Sequence, residues 1–309
     1  MLNHGTIALH YLMYSIALNQ TIGHVNQTSF PLPKPSPLLR QYARDPQSGR
    51  GFFVLRGLQP DKYNIEDNII IHSGVSSYIG SIRGRQDSKL IDGVKHSQLL
   101  NHIKDLSHTS VANQIGAPVY TTDKQVFHTD AVYNELAATR PDIIRALSEN
   151  WDFDGYGNLQ QPYTSRPLLF HTPATETSPE RVIIQYARRG FIGFLHLPRS
   201  KNIPSITEAQ AEALDALYFL ADRYSLTLDL QKGDIQYVNN LSIFYARGGF
   251  TDAARRERHL LRLWLRDPEL AWETPEPLKE RWDGLYKDVT EEEQVFPLEP
   301  RIRGGSGKA

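Results

Sequence analysis

The stretch Gln125-Val-Phe-His-Thr-Asp130 places a histidine and an aspartate two positions apart, at the end of an aromatic and β-branched run. If the run is a strand, residues two apart share a face, with Cα atoms about 6–7 Å apart. His128 and Asp130 could then chelate one divalent ion, and a ligand from a distant strand would complete a facial triad with open positions. His-x-Asp pairs are common by chance, so the context decides the meaning of this one.

A second informative stretch, Arg258-His-Leu-Leu-Arg-Leu-Trp-Leu-Arg-Asp267, lies far downstream. We predict a strand over His259–Leu265, which follows another over Ile243–Ala246. On such a strand Arg258 and Arg262 share one face and His259 packs on the other. Buried guanidinium groups are costly unless an anion pairs with them. Two interpretations stay open: a guanidinium fork that holds a carboxylate, or a structural ion pair on an edge strand.

Composition limits the chemistry that the 309-residue chain can perform. It contains no cysteine, which excludes disulfides, thiolate zinc, iron–sulfur clusters and a cysteine nucleophile. Any metal must therefore bind His, Asp, Glu or Tyr. A net charge of −1 gives no bulk attraction to nucleic acid or to an anionic membrane, and residues 6–18 are too short an apolar run to span one. We expect a cytoplasmic protein whose partner is a small molecule.

Periodicity predicts an α+β chain without repeats or an evident linker. A capping box at Thr207-x-x-Gln210 predicts a helix that ends near Tyr224. Further helices are expected over 61–77 and over 132–149, with Pro141 starting a turn within the second. The expected strands cover 51–57, 119–127, 167–170, 181–186, 235–238 and the β-rich region 190–197. Many short strands with a few long helices are compatible with a distorted jelly roll.

The two stretches quoted above, with Asn239-Asn-Leu-Ser-Ile243, Gly51-Phe-Phe-Val-Leu-Arg-Gly57 and Ser76-Ser-Tyr-Ile-Gly80, resemble the fungal branch of the TauD/TfdA family. The resemblance implies a double-stranded β-helix, which is a jelly roll with helical insertions. It implies an oxygenase domain over 46–296, preceded by an N-terminal extension (1–45) and followed by a flexible tail (297–309). It also implies Fe(II) and 2-oxoglutarate as cofactor and co-substrate.

The same resemblance assigns roles to individual residues. His128 and Asp130 match the first two iron ligands. Arg258 matches the arginine that binds the distal carboxylate of 2-oxoglutarate, and Arg262 matches a second arginine near the co-substrate or an anionic substrate. The implied activity is that of a taurine hydroxylase-like dioxygenase that oxidises a small molecule, in fungal secondary metabolism of the mycotoxin type.

Two departures from the family pattern concern the metal centre. Tyr245 stands where the family has its third ligand, a histidine. A neutral phenol is a poor Fe(II) ligand, because metal binding must also remove its proton. Either Tyr245 ligates the metal or a water fills that position. In addition, Asp130 is followed at once by the helical stretch Ala131–Ala137, where the family has a longer segment of core strands. Its loss would leave the jelly roll incomplete, with unpaired strand edges.

Two other functions compete with the oxygenase. One is a catalytically impaired pseudoenzyme that binds a small carboxylate or a partner without turnover. The other is an isomerase or lyase that uses the same pocket without activating oxygen. Iron binding with succinate release distinguishes the oxygenase from the first, and product formation without oxygen would favour the second.

Overall fold

A computed structural model describes residues 21–103, 124–155, 161–176, 178–193, 198–247 and 259–300, with backbone alone at 124–128, 189, 246 and 247. Three short 3₁₀ helices lie at Ile22–His24, Pro60–Lys62 and Glu276–Leu278. The α-helices of the described residues are α1 (Ser36–Tyr42), α2 (Asp45–Ser48), α3 (Ile65–Ser76), α4 (Thr129–Thr139), α5 (Pro141–Ser148), α6 (Arg189–Ile192), α7 (Glu208–Arg223) and α8 (Lys279–Tyr286).

The strands are short, as the sequence predicted. They are β1 (Phe52–Leu55), β2 (Ile82–Arg83), β3 (Asp87–Ile91), β4 (Val94–Gln98), β5 (Asn101–Ile103), β6 (Lys124–His128), β7 (Trp151–Asp154), β8 (Tyr163–Arg166), β9 (Leu169–Thr172), β10 (Arg181–Ile184), β11 (Leu226–Leu228), β12 (Ile235–Val238), β13 (Ile243–Arg247), β14 (Leu260–Arg262), β15 (Leu265–Arg266) and β16 (Gln294–Val295). The α+β content is confirmed. No helix in the described ranges is long and apolar enough to cross a bilayer.

The chain divides into two compact units. The described part of unit 1 is residues 21–103, 230–238 and 259–300. The described part of unit 2 is residues 124–155, 161–176, 178–193, 198–229 and 239–247.

The described part of unit 1 contains four small sheets, which pair β1 with β12, β5 with β14, β2 with β15, and β4 with both β3 and β16. The strands predicted over 51–57 and 235–238 are confirmed, and they hydrogen-bond to each other. Phe53 lies opposite Tyr237, and their rings stack with centroids 4.8 Å apart. Gly233, with φ of 86°, makes the turn that leads into β12, a conformation that favours glycine.

Helix α3 supplies much of the apolar core of unit 1. It begins at Ile65, four residues later than predicted, because the Asn64 side chain accepts a hydrogen bond from the Asp67 amide at 2.8 Å and caps the first turn. Its buried residues pack in a cluster with residues from the N-terminal segment and from β12. This cluster contains Val25, Phe30, Leu32, Leu39, Ala43, Ile70, Ile71, Val75, Tyr78, Ile79 and Tyr237.

Unit 2 is built around three helices and small sheets. The helix predicted over 132–149 is two helices, because Arg140, with φ −145° and ψ 64°, leaves the helical region before Pro141 starts α5. The capping box before α7 is confirmed, with Thr207 and Gln210 exchanging side-chain to backbone hydrogen bonds of 3.2 and 3.0 Å. The hydrophobic core of unit 2 contains Val132, Leu136, Ile143, Leu147, Trp151, Leu168, Leu169, Val182, Ile184, Phe191, Ala213, Leu214, Leu217, Ala221 and Phe244.

The sheets of unit 2 pair β7 with β8, β9 with β10, and β6 with both β11 and β13. The strands predicted over 167–170 and 181–186 overlap with β9 and β10, which pair with each other. The β-rich prediction for 190–197 is wrong over 190–192, because α6 occupies these residues. Phe191 in α6 is buried against Trp151, with ring centroids 5.1 Å apart. Its apolar side chain therefore belongs to the core of unit 2, although the residue lies in a helix.

The strand predicted over His259–Leu265 is interrupted. Residues 260–262 form β14 and pair with β5, whereas 265–266 form β15 and pair with β2. Leu263 and Trp264 lie outside both strands, although the Trp264 carbonyl accepts a hydrogen bond from the Gly84 amide at 2.9 Å. The alternation of faces predicted for this stretch therefore holds only over the three residues of β14.

Candidate metal and carboxylate site

His128 is the last residue of β6, and the chain turns directly into helix α4 after it. The turn is fixed by Thr129, whose amide and side-chain hydroxyl both donate to the Ser242 carbonyl, at 3.1 and 3.0 Å. Asp130 therefore lies in the first turn of α4, so the prediction that His128 and Asp130 share a strand face is wrong. An acidic residue is favourable there because it faces the positive end of the helix dipole.

The Asp130 carboxylate is exposed, and no hydrogen bond to it is made within the described part of the chain. Arg181, at the start of β10, is close enough for its charge to interact with that of Asp130. Burial lowers the pKa of Arg181, and the negative charge of Asp130 opposes that shift. An exposed carboxylate with free acceptor capacity can take a cation, although Arg181 competes for its charge.

The register of β6 and β13 locates Tyr245 relative to His128. Ile243 lies opposite His128, and Tyr245 lies opposite Val126, so positions 128 and 245 belong to the same face as diagonal neighbours. Such neighbours have Cα atoms about 7–8 Å apart. Tyr245 is 47% exposed, whereas Phe244 on the other face is buried in the core of unit 2. The phenol thus lies on the face that also holds position 128.

The arginine stretch belongs to unit 1. Arg258 lies outside the described residues. Arg262 ends β14, opposite Asn101, and its Nε donates to the Gln86 side-chain oxygen at 3.1 Å. Its guanidinium carbon lies 5.4 Å from the centroid of the Trp264 ring, within range of a cation–π interaction.

His259 was predicted to pack rather than to bind a metal. In the structure its Nε2 lies 2.7 Å from Nδ1 of His102, and Nε2 of His102 lies 2.6 Å from the Pro297 carbonyl oxygen. Because that carbonyl can only accept, the neutral His102 ring carries its proton on Nε2. His259 therefore serves as a hydrogen-bonding residue at the start of β14.

Two residues near the predicted site were missed by sequence reasoning. Arg181 was placed in a strand without a role, and nothing in its local sequence marks it as a neighbour of Asp130. Gln86 was not singled out because it lies 176 positions from Arg262. A contact at that separation leaves no pattern in a single sequence.

The donor types present are compatible with iron. Oxygen and imidazole donors suit iron, manganese and zinc, and the free acceptor capacity of Asp130 matches a ligand role. Among the described side chains no group of three His, Cys, Asp or Glu converges. Imidazole and carboxylate donors of this kind are typical of non-haem metal proteins.

Comparison with known proteins identifies the family. The model of the taurine catabolism dioxygenase TauD, TfdA family matches residues 122–264. The taurine hydroxylase-like protein SAT17 of Stachybotrys chartarum is 33% identical over 308 residues, which cover 90% of this chain and 77% of the relative. The FR-33289 synthase of Streptomyces rubellomurinus is 22% identical over 272 residues, which cover 79% of this chain and 77% of that protein. The chain belongs to the TauD/TfdA family, and it is an iron- and 2-oxoglutarate-dependent dioxygenase of that family.

The fold agrees with this family. The non-haem iron oxygenase OrfP, solved in complex with Fe and α-ketoglutaric acid, superimposes with a TM-score of 0.52 at 12% identity. The likeness covers 85% of this chain and 91% of OrfP. At this identity the comparison supports the fold alone.

Proposed function

We propose that the protein oxidises a small molecule with Fe(II) and 2-oxoglutarate, and that His128 and Asp130 ligate the iron with Tyr245 at the third protein position. The register of β6 and β13 carries this proposal, because it assigns positions 128 and 245 to one face. Arg258 binds the distal carboxylate of 2-oxoglutarate, and Arg262 binds a carboxylate of the co-substrate or of an anionic substrate.

The substrate class is a small molecule that is processed in the manner of a taurine hydroxylase, in fungal secondary metabolism of the mycotoxin type. The relative from Stachybotrys chartarum, a taurine hydroxylase-like protein, supports this assignment. A pI near 6.8 gives no electrostatic reason for nucleic acid as a partner. We place the activity in the cytoplasm, since a chain without cysteine needs no oxidising compartment.

We further propose that the small sheets are parts of one double-stranded β-helix over residues 46–296. The likeness to OrfP supports this architecture. In this proposal the jelly roll is incomplete, and the direct passage from β6 into α4 supports the absence of the strands that the resemblance places after Asp130. The family resemblance assigns 1–45 to an extension and 297–309 to a tail.

The chain's own residues contribute binding and orientation. Bound iron with 2-oxoglutarate supplies the oxidising chemistry. Asp130 offers a carboxylate oxygen from the first turn of a helix whose start is fixed by Thr129. Tyr245 offers a phenol oxygen once its proton is lost to solvent. Arg262 offers a permanent positive charge to a carboxylate.

Anaerobic titration of the full-length protein with Fe(II) and 2-oxoglutarate tests the proposal. The visible charge-transfer band of the chelated co-substrate is expected in the wild type and, more strongly, in Tyr245→His. A band in the variant alone would show that the pocket survives and that the phenol does not replace the family's histidine. The absence of a band in both proteins would overturn the assignment and favour a protein that binds without turnover.

A further inference from the structure

One neighbouring side chain, that of Gln86, contacts both the backbone and the guanidinium of Arg262. The Nε2 of Gln86 donates to the Arg262 carbonyl at 2.9 Å, and Nε of Arg262 donates back to Oε1 of Gln86 at 3.1 Å. The second Nε2 proton of Gln86 is directed at the Leu99 carbonyl. The Gln86 amide thus joins β14 to the segment before β5.

The orientation of this amide follows from its partners. Both groups near Nε2 are carbonyl oxygens, which only accept, and the group near Oε1 is a guanidinium N–H, which only donates. The flipped amide would oppose like groups at all three contacts. The backbone amide of Gln86 also donates to the Gln98 carbonyl at 2.8 Å, so the residue is fixed at both ends.

This arrangement limits how Arg262 can meet an anion. A guanidinium can grip a carboxylate in a bidentate manner either through its two terminal nitrogens or through Nε and one of them. Gln86 occupies the Nε–H, so the side-on mode is taken. The end-on mode, through Nη1 and Nη2, is the one that remains compatible with this contact. The Trp264 ring at 5.4 Å further restricts the plane of the group.

We propose that Gln86 is a positioning residue that orients the Arg262 guanidinium for end-on binding of a carboxylate, the class of group that 2-oxoglutarate carries. The inference rests on the proposed function, which assigns Arg262 to a carboxylate of the co-substrate or of an anionic substrate, and it takes the co-substrate as the ligand. Gln86 acts through Arg262 and does not itself touch the carboxylate. Gln86 also helps to hold the end of β14, because its side chain donates a hydrogen bond to the Arg262 carbonyl.

The affinity for 2-oxoglutarate, measured by anaerobic calorimetry on the Fe(II)-loaded full-length protein, tests this role. Gln86→Met keeps the length of the side chain and removes both kinds of hydrogen bond, so we expect affinity to fall about tenfold. Gln98→Met is the matched control. The Gln98 side chain bonds the Leu100 carbonyl and the Asn101 side chain, both at 3.0 Å, in the same sheet region without contacting Arg262. The affinity of Gln98→Met for 2-oxoglutarate is expected to stay within about twofold of the wild-type affinity.

A double-mutant cycle separates positioning from general stability. In an Arg262→Met background, Gln86→Met is expected to change the affinity no further, because its effect acts only through the guanidinium. An equal loss in both backgrounds would show a merely structural role and overturn the proposal. Unchanged affinity in Gln86→Met alone would overturn it as well.

A spectroscopic readout reports the contact without any ligand. The Arg262 Nε–H signal in a ¹⁵N–¹H spectrum, assigned with Arg262→Lys, should be protected from exchange in the wild type and in Gln98→Met, and lost in Gln86→Met. Loss of protection in the control as well would contradict a specific contact. If the wild type shows the protected signal but binds no 2-oxoglutarate, Arg262 has no role in binding the co-substrate and Gln86 has no positioning role. This result differs from the outcomes of the affinity measurements, in which the wild type binds 2-oxoglutarate.

Discussion

The β6–β13 region of unit 2 and the Gln86–Arg262 region of unit 1 hold their functional groups by different means. In the first, backbone register and the start of α4 fix the positions, while the Asp130 carboxylate and the Tyr245 phenol remain exposed. In the second, a side-chain amide grips Arg262 at two points. The guanidinium is therefore oriented before any ligand arrives, whereas the oxygen donors depend on the ligand to order them.

This difference has an energetic meaning. Ordering an exposed side chain costs rotamer entropy, which a bound cation must offset, whereas a guanidinium that is already hydrogen-bonded has lost that freedom on folding. We therefore expect changes at the exposed donors to act on metal affinity with little effect on stability. Changes at buried groups should act mainly on stability.

The largest expected effect is on iron binding in Asp130→Ala. Removing a ligand oxygen should weaken Fe(II) affinity at least about 100-fold, which is about 3 kcal/mol. The free energy of unfolding should change by less than about 1 kcal/mol, because the residue is exposed and contributes only through the helix dipole. Anaerobic metal competition and urea unfolding measure the two quantities.

Asp142→Ala is the control for this change, since Asp142 occupies the first turn of the next helix, α5, and is equally exposed. It should lose a similar small amount of stability and keep its iron affinity. Equal iron affinities of the two variants would remove Asp130 from the metal site.

Acid is expected to lower the free energy of unfolding through a buried histidine of unit 1, His72. Burial lowers the pKa of His72 in α3 from 6.5 to about 4, with a further contribution from the positive charge of Arg83. Its Nδ1 is buried without a hydrogen-bond partner in the described chain. Since the unfolded state takes up the proton first, stability is fully present above pH 6.5 and is lost as the pH falls toward 4, by about 2–3 kcal/mol.

Urea unfolding at pH 7 and pH 4.5 measures this loss. His72→Gln does not titrate, so its free energy of unfolding should fall less over the same interval. Amide exchange should show that α3 loses protection in acid before α4 does. If His72→Gln loses as much free energy of unfolding between pH 7 and pH 4.5 as the wild type does, the loss comes from other groups.

The comparison also explains which parts of the structure could be predicted from sequence. The β1 strand, the capped helix α7 and the β13 strand follow from short-range signals such as glycine boundaries, a Thr-x-x-Gln box and apolar alternation. The helical placement of Asp130 did not, because it depends on the Ser242 carbonyl, 113 positions from Thr129. The break between β14 and β15 likewise depends on distant partners, β5 and β2. Local patterns singled out His128, Asp130 and the arginines as candidates, but they did not indicate distant contacts such as that of Gln86 with Arg262.

A smaller effect is expected at the junction of β6 and α4. Thr129→Val removes the hydroxyl bond to the Ser242 carbonyl but leaves the backbone bond, so the free energy of unfolding should fall by about 1 kcal/mol. Iron affinity should fall a few-fold, because the first turn of α4 carries Asp130. Thr139→Val is the control, since its hydroxyl bonds the Glu135 carbonyl at the exposed end of the same helix. If Thr139→Val lowers iron affinity equally, the junction has no special role.

The smallest effect on stability should come from Tyr245→Phe. Its side chain is 47% exposed, so losing the hydroxyl should change the free energy of unfolding by no more than about 0.5 kcal/mol. The informative quantity is the pH dependence of iron binding. A phenol must release its proton to bind a metal, so wild-type affinity should rise more steeply with pH than that of Tyr245→Phe. Parallel pH profiles would show that the phenol does not bind the metal and that solvent supplies the third donor.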